Sequence, residues 1–162
     1  MLTSICITLL SGFVHCTATP PEVGYASQYA IGPMEATVAL RQTWWPESRL
    51  ALPPDLSPWA GFVASLSCDD IGQTYLIRVL PSKVWRPYLV SDCAGDAHSF
   101  LWMEDNNILV EFSGTDAHKL GIVGQPPGQV RIELVRLPGY PGILTCCPAT
   151  DRPTKPVSCL PI

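Results

Sequence analysis

Charged side chains are scarce in this chain. Of its 162 residues only 15% are charged, with 10 lysines and arginines against 14 aspartates and glutamates, which gives a net charge of -4. The shortage of basic residues excludes a basic nucleic-acid binder and predicts no electrostatic attraction to phosphate or to anionic lipid. The apolar composition, with 47% hydrophobic residues and a mean hydropathy of +0.20, excludes a disordered tail and a coiled coil.

Long segments without proline are also few, because 17 prolines are scattered along the chain. Each proline removes a backbone donor and clashes with the preceding helical turn, so few stretches are long enough for helices. We find no internal repeat. The composition therefore predicts one mainly β domain, large enough to bury a core without a metal.

The first 18 residues carry no charged side chain, and their apolar run is too short to span a bilayer as a stable helix. We predict that 1–18 is a secretory signal peptide cleaved after Ala18 and that 19–35 is an extended lead-in. Two alternatives are an uncleaved segment and a lipid anchor at Cys16. The predicted location is secreted or extracytoplasmic, in the cell envelope, without membrane insertion once the signal is removed.

Cleavage would leave five of the seven cysteines, and an odd number leaves one thiol unpaired. Cys68 and Cys93 each close a β-rich segment. A disulfide between them would close a loop of 25 residues and stabilise the fold by roughly 3 kcal/mol. Inert thiols or a different pairing remain the alternative.

The last segment, 138–162, is a tail rich in proline and cysteine. We predict that Cys159 pairs there with Cys146 or Cys147. A zinc site in the tail would lack a fourth ligand, because no histidine or carboxylate cluster accompanies the three cysteines. The sequence therefore predicts no metal and no cofactor.

Hydrophobic alternation and turn residues place the elements of the domain between the lead-in and the tail. The predicted strands are 36–44, 61–68, 74–80, 84–93, 108–112 and 128–137, and the predicted short helices are 96–107 and 115–120. Thr115 is expected to cap the second helix and Gly121 to end it.

Three motifs in this region carry a family resemblance. Val90, Asp92 and Cys93 end one strand, Val110-Glu111-Phe112-Ser113 forms another, and Leu120-Gly121 ends a helix. Their order and spacing resemble the double-psi β-barrel of the rare lipoprotein A, expansin and barwin group. The resemblance covers 36–137 and implies a mainly β fold, a six-stranded double-psi β-barrel with one or two short helices. Such barrels often have a disulfide where Cys68 and Cys93 lie.

The rare lipoprotein A family cleaves peptidoglycan glycan strands as a lytic transglycosylase, which needs one carboxyl group of raised pKa. The resemblance implies that Glu111 is this acid, that Asp92 is a second acid beside it, and that His98 is a neighbouring acid or base. Each residue also has a structural alternative. Asp92 could simply cap the turn that follows it, and Glu111 could simply face outward from its strand. His98 and His118 could be surface polar residues.

Substrate-binding candidates are Trp85 and Trp102, which could stack on sugar rings, and Ser113 of the second motif. Tryptophan is also ordinary core material, and that is the favoured interpretation for most of the five tryptophans.

The sequence departs from the family pattern at three points, one of which is Ile108 in place of the basic residue often found before the hydrophobic pair. Cys93-Ala94-Gly95 replaces the usual Gly-Pro-Phe, and Glu111 stands where the family has aspartate. These last two departures favour a protein that binds peptidoglycan or a related polysaccharide without cleaving it, as expansin-like proteins do. We expect the protein to be a monomer. The alternative is a disulfide-stapled scaffold for protein contacts.

Overall fold

The computed structural model describes residues 3–8, 14–30 and 32–137. Its elements in chain order are strands β1 (Thr3–Thr8), β2 (Val14–Thr19) and β3 (Glu22–Gln28), helix α1 (Pro33–Gln42), strand β4 (Gly61–Ser65), a 3-10 turn (Cys68–Asp70), strands β5 (Thr74–Val79) and β6 (Arg86–Cys93), helix α2 (Ala97–Asp105), strand β7 (Ile108–Phe112), helix α3 (Gly114–Lys119) and strand β8 (Val130–Leu137).

Strands β3 to β8 close into a six-stranded barrel in the order β3-β7-β4-β6-β5-β8. The pairs β3 with β7 and β4 with β6 are parallel, and the other pairs are antiparallel. The mainly β, six-stranded fold class predicted from the sequence is confirmed, and the two parallel pairs are compatible with a double-psi barrel. Strands β1 and β2 form a separate two-stranded sheet, and the predicted signal cleavage stays a prediction.

Apolar side chains fill the barrel with the alternation expected of strands that have one buried face. On β7, for example, Ile108, Val110 and Phe112 are fully buried, whereas Leu109 and Glu111 between them are half-buried. Glu111 therefore lies on the outer face of the barrel wall.

The segment 36–44, predicted to be a strand, is the main part of helix α1. The prediction was wrong because it used an alternation of only two residues, Val38 and Leu40, and Leu40 is exposed. Met34, Val38 and Arg41 are buried instead, a spacing of four and three residues that matches a helical face. The described residues thus contain three short helices where the sequence predicted one or two.

The barrel also begins earlier than predicted, because β3 lies inside the segment expected to be a lead-in. It pairs with β7 on one side and with β8 on the other, and so closes the barrel. The tail 138–162, with the predicted pairing of Cys159 to Cys146 or Cys147, lies outside the described residues. Within the described ranges, no helix is long and apolar enough to cross a membrane.

The start of β4 is attached to the start of α3 by a buried carboxylate. Asp116 accepts hydrogen bonds at Oδ2 from the Phe62 backbone N–H at 2.9 Å and from the Ser113 hydroxyl at 2.8 Å. Ser113, and not the predicted Thr115, caps α3, because only Ser113 lies where its hydroxyl can accept from the Asp116 N–H. The predicted helix stop at Gly121 is confirmed by its positive φ of 69°.

A disulfide joins Cys68 in the 3-10 turn to Cys93 at the end of β6, with the two Cα atoms 4.9 Å apart. The predicted Cys68–Cys93 pairing is confirmed. It fixes the end of β6 to the connection between β4 and β5.

The close approach of Asp116 to β4 predicts a specific role for Gly61. A side-chain methyl group at this position would clash with the Asp116 carboxylate. We expect Gly61→Ala to lower the free energy of unfolding by about 1–3 kcal/mol, measured by urea denaturation.

Gly95→Ala is the matched control, since a methyl group there meets nothing within 4 Å. Its unfolding free energy should stay within about 1 kcal/mol of the parent value. Equal losses in the two variants would contradict the proposed role of Gly61.

Candidate functional site

Four strands place a row of side chains across the outer face of the barrel. Ser27 on β3 lies opposite Glu111 on β7. Ala64 on β4 lies between Glu111 and Asp92. It is opposite Glu111 of β7 on one side and opposite Asp92 of β6 on the other. We call Ser27, Glu111, Ala64 and Asp92 the acidic row. Neighbouring strands lie about 4.8 Å apart, so the backbones of Glu111 and Asp92 are roughly 10 Å apart with only the Ala64 methyl group between them.

A β-bulge brings Asp92 into this row. Val63 pairs with Val90, but the next residue, Ala64, pairs with Asp92, so Ser91 is the extra residue on β6. A shift of one residue reverses the face that each following side chain takes. Without the bulge, Ser91 would lie opposite Ala64 and Asp92 would face away from Glu111.

Glu111 is in an environment that favours its protonated form. Burial raises the pKa of Glu111, and the negative charge of Asp92 raises it further, although a hydrogen bond from Ser27 acts in the opposite direction. The Ser27 hydroxyl donates to Glu111 Oε1 at 2.9 Å. In the part of the chain that the structure describes, no salt bridge reaches Glu111, so its carboxyl keeps a proton to higher pH than an ordinary glutamate.

Asp92, in contrast, is paired with a cation. Arg41 of α1 donates from Nη2 to Asp92 Oδ1 at 3.1 Å, and the two side chains are only 10% and 14% exposed. The Tyr29 hydroxyl donates to Asp92 Oδ2 at 3.0 Å. Burial, then the charge of Asp92 and this hydrogen bond, raise the pKa of Tyr29 to about 12, so the hydroxyl stays a donor at neutral pH.

The two carboxyl groups therefore have different properties on one face. Glu111 can hold and donate a proton, whereas Asp92 is a charge-paired carboxylate that can orient a ligand hydroxyl or stabilise positive charge. Within the described residues, no group of three or more histidine, cysteine, aspartate or glutamate side chains could hold a metal ion. The chemistry that this arrangement supports is proton transfer to and from a bound polar molecule.

The structure brings Glu111 and Asp92 close enough to influence each other electrostatically. Their catalytic roles stay predictions. His98 lies exposed in the first turn of α2. Within the described part of the chain it makes no hydrogen bond to either carboxyl group, and its catalytic role stays a prediction.

The three predicted substrate-binding residues lie in different surroundings. Trp85 packs beside β8 and under the Arg78 guanidinium, 4.8 Å from the ring centre. Trp102 is half-buried in α2, and Ser113 is fully buried at the cap of α3. Within the described residues, no hydrogen bond or ion pair joins any of the three to the acidic row, and their substrate-binding roles stay predictions.

Sequence reasoning missed three residues of the site, namely Ser27, Tyr29 and Arg41. Ser27 and Tyr29 lie in the segment interpreted as a lead-in, and Arg41 lies in the segment interpreted as a strand. One signal for α1 was present, since Pro33 can begin a helix and Glu35 suits its first turn. A helix there would have placed Arg41 on the same face as the apolar Met34 and Val38.

Removal of Arg41 should destabilise the protein strongly, because it leaves Asp92 buried without its cation. Two other Arg41 donors, Nε and Nη1, are buried with no partner in the described residues. The ion pair with Asp92 is therefore the main interaction that offsets the burial of the Arg41 charge. We expect Arg41→Met to lower the free energy of unfolding by about 3 kcal/mol in urea denaturation.

Arg49→Met is the matched control, because the Arg49–Asp69 pair is more than three-quarters exposed on both sides. Arg49→Met should lower the free energy of unfolding by at most about 1 kcal/mol. The double variant Arg41→Met/Asp92→Asn should be more stable than Arg41→Met alone, and a less stable double variant would contradict the pairing.

The raised pKa of Glu111 predicts a pH dependence of stability. The folded state binds this proton more tightly than the unfolded chain, so ionisation of Glu111 costs stability as pH rises above about 4.5. Glu111→Gln removes that cost and retains the oxygen that accepts from Ser27. The melting temperature of the variant minus that of the parent should therefore increase between pH of about 4 and about 7. A constant or decreasing difference would contradict the raised pKa.

Comparison of this chain with protein-family models, with curated proteins and with solved structures gave no match. What the structure adds to the motif resemblance is the closed six-stranded barrel, its two parallel strand pairs and the acidic row on its outer face.

Proposed function

We propose that this chain is an extracytoplasmic double-psi barrel, similar to the rare lipoprotein A and expansin group, that binds cell-wall glycan across the acidic row. The observation that carries the proposal is that Glu111, whose pKa is raised by burial, lies on one face with the charge-paired Asp92. Peptidoglycan is the proposed partner, and a related polysaccharide is the broader class.

The outer face has the groups that a sugar needs. Hydroxyl and carboxyl groups of Ser27, Tyr29, Asp92 and Glu111 can donate to and accept from sugar hydroxyls. Ala64, which lies between the two acids in register, adds only a methyl group to this face. These features favour the binding of a glycan chain whose sugar rings lie across the strands of the barrel.

Exposed aromatic rings follow α1, the helix that supplies Arg41. Trp44 is 38% and Trp45 43% exposed, immediately beyond the last turn of the helix. An aromatic ring can stack on the apolar face of a sugar. These tryptophans support an extension of the binding surface beyond the acidic row.

The same arrangement supports cleavage by the lytic transglycosylase route. Glu111 would donate its proton to the glycosidic oxygen as the bond from that oxygen to the anomeric carbon breaks. The sugar's own 6-hydroxyl oxygen would then bond to the anomeric carbon, and its proton would return to Glu111. Asp92 would stabilise the positive charge that develops on the ring. No water nucleophile is consumed, so one acid of raised pKa suffices.

The disulfide supports the proposed location. Disulfides persist in oxidising compartments such as the periplasm and the cell surface and are rare in the cytosol. The confirmed Cys68–Cys93 bond is therefore consistent with export of this chain.

Intact sacculi incubated with the mature protein test both parts of the proposal. Mass spectrometry of the soluble fraction should find 1,6-anhydro sugar products. Glu111→Gln should reduce their rate of formation by about 10²–10⁴-fold, because a positioned general acid contributes a factor of that size.

Glu104→Gln is the matched control, since Glu104 is an exposed carboxylate on α2 and its loss should leave product formation unchanged. Retention of the protein by sacculi without anhydro products would support binding alone. Absence of both retention and products would overturn the proposal and favour the scaffold alternative.

A further inference from the structure

A cavity of about 230 Å³ lies at the end of β6 opposite to Asp92. Arg86 and Tyr88 near the start of β6 line it, whereas Asp92 lies near the last residue of that strand. A single water needs only about 10–15 Å³ of such space, so the cavity is large enough for a small organic molecule. It is separate from the acidic row.

Apolar side chains form one wall of this cavity. Ile77 and Val79 come from β5, and Leu120 comes from the C-terminal end of α3. Such a wall favours a ligand with a hydrocarbon portion, because burial of apolar surface is the main source of its affinity.

The Tyr88 hydroxyl is an unused polar group at this cavity. The residue is only 3% exposed, and its ring packs edge-on against Phe112 with the centroids 5.0 Å apart. Within the described residues, its hydroxyl has no hydrogen-bond partner. Burial, followed by the charge of Asp116, raises the pKa of Tyr88, so the hydroxyl remains a donor. Because Tyr88 lines the cavity, a molecule bound there can accept the hydrogen bond of this hydroxyl.

The charges that line the cavity favour an anion. Arg86 and Lys119 are exposed cations at its edge, and Asp116 is the one carboxylate. Asp116 is already engaged, since it accepts from Phe62, from Ser113 and, at 3.2 Å, from Lys119 Nζ. One positive charge therefore remains without compensation among the lining residues.

We propose that this cavity binds a small carboxylate with a short aliphatic chain. The Tyr88 hydroxyl and the two cations hold the carboxylate, and the wall of Ile77, Val79 and Leu120 holds the chain. The proposal does not depend on glycan binding, because none of these residues belongs to the acidic row.

Sodium valerate is the probe, titrated into the full chain and followed by two-dimensional ¹H–¹⁵N NMR. Saturable shifts are expected at the backbone amides of 60, 77, 79, 86, 119 and 120. Tyr88→Phe should weaken binding about tenfold, because it removes a hydrogen bond to a charged group. Tyr88→Phe keeps the ring contact with Phe112, and a melting curve checks that the variant is folded.

Lys119→Met should weaken valerate binding by a similar factor. Arg49→Met is the matched control, because it removes one positive charge from an exposed pair with Asp69 that does not line the cavity. Its affinity for valerate should equal that of the parent, and so should the affinity of Glu111→Gln.

The proposal is overturned if valerate produces no saturable shifts at these amides, or if Tyr88→Phe and the parent bind it equally. Two further probes separate the parts of the ligand. 1-Butanol that binds as tightly as valerate would contradict the need for a charge, and inorganic phosphate that binds as tightly would contradict the need for a chain.

Discussion

The position of β4 is the constraint on which the rest of the barrel depends. This strand lies between a parallel neighbour, β6, and an antiparallel neighbour, β7, and it carries the residue that separates the two acids. Its first residues are fixed by hydrogen bonds that involve both backbone groups of Phe62. The Phe62 N–H donates to Asp116, and the Phe62 carbonyl accepts from the Ser113 N–H at 3.0 Å. Gly61 permits this contact because it has no side chain. Ser113 therefore contributes to the site through the register of β4.

The acidic row has consequences for stability as well as for chemistry. A charge-poor chain has few ways to compensate a buried carboxylate, and here one cation, Arg41, is paired with one of two neighbouring acids. Burial and the negative charge of Asp92 raise the pKa of Glu111, and the hydrogen bond from Ser27 opposes this only in part. Arg41 thus gives the two carboxyl groups different electrostatic environments. Asp92 has a positively charged partner, whereas Glu111 has a negatively charged neighbour.

The sequence predicted the barrel because its signals are local, whereas most of the site depends on contacts between distant parts of the chain. Alternation in Val130–Leu137, the strand Ile108–Phe112 and the ordered motifs sufficed for the fold class. Glu111 and Asp92 were found by motif position. Ser27 and Tyr29 reach their partners across 84 and 63 residues, so no local pattern pointed to them. The bulge at Ser91, which decides the face that Asp92 takes, depends on pairing with β4 and has no signature within β6 alone.

The departure from the family pattern after Asp92 has a physical counterpart in the structure. Where the family has Gly-Pro-Phe, this chain has Cys93-Ala94-Gly95, and proline would have limited the backbone directly. Here Cys93 is instead bonded covalently to Cys68, and the Ala94 N–H donates to the Ser65 carbonyl at 2.9 Å. The chain beyond Asp92 is therefore tied to the end of β4 and to the turn that follows it. A carboxylate held by a cation on one side and by a cross-linked backbone on the other loses little freedom when a ligand binds, which is the property that a preorganised site needs.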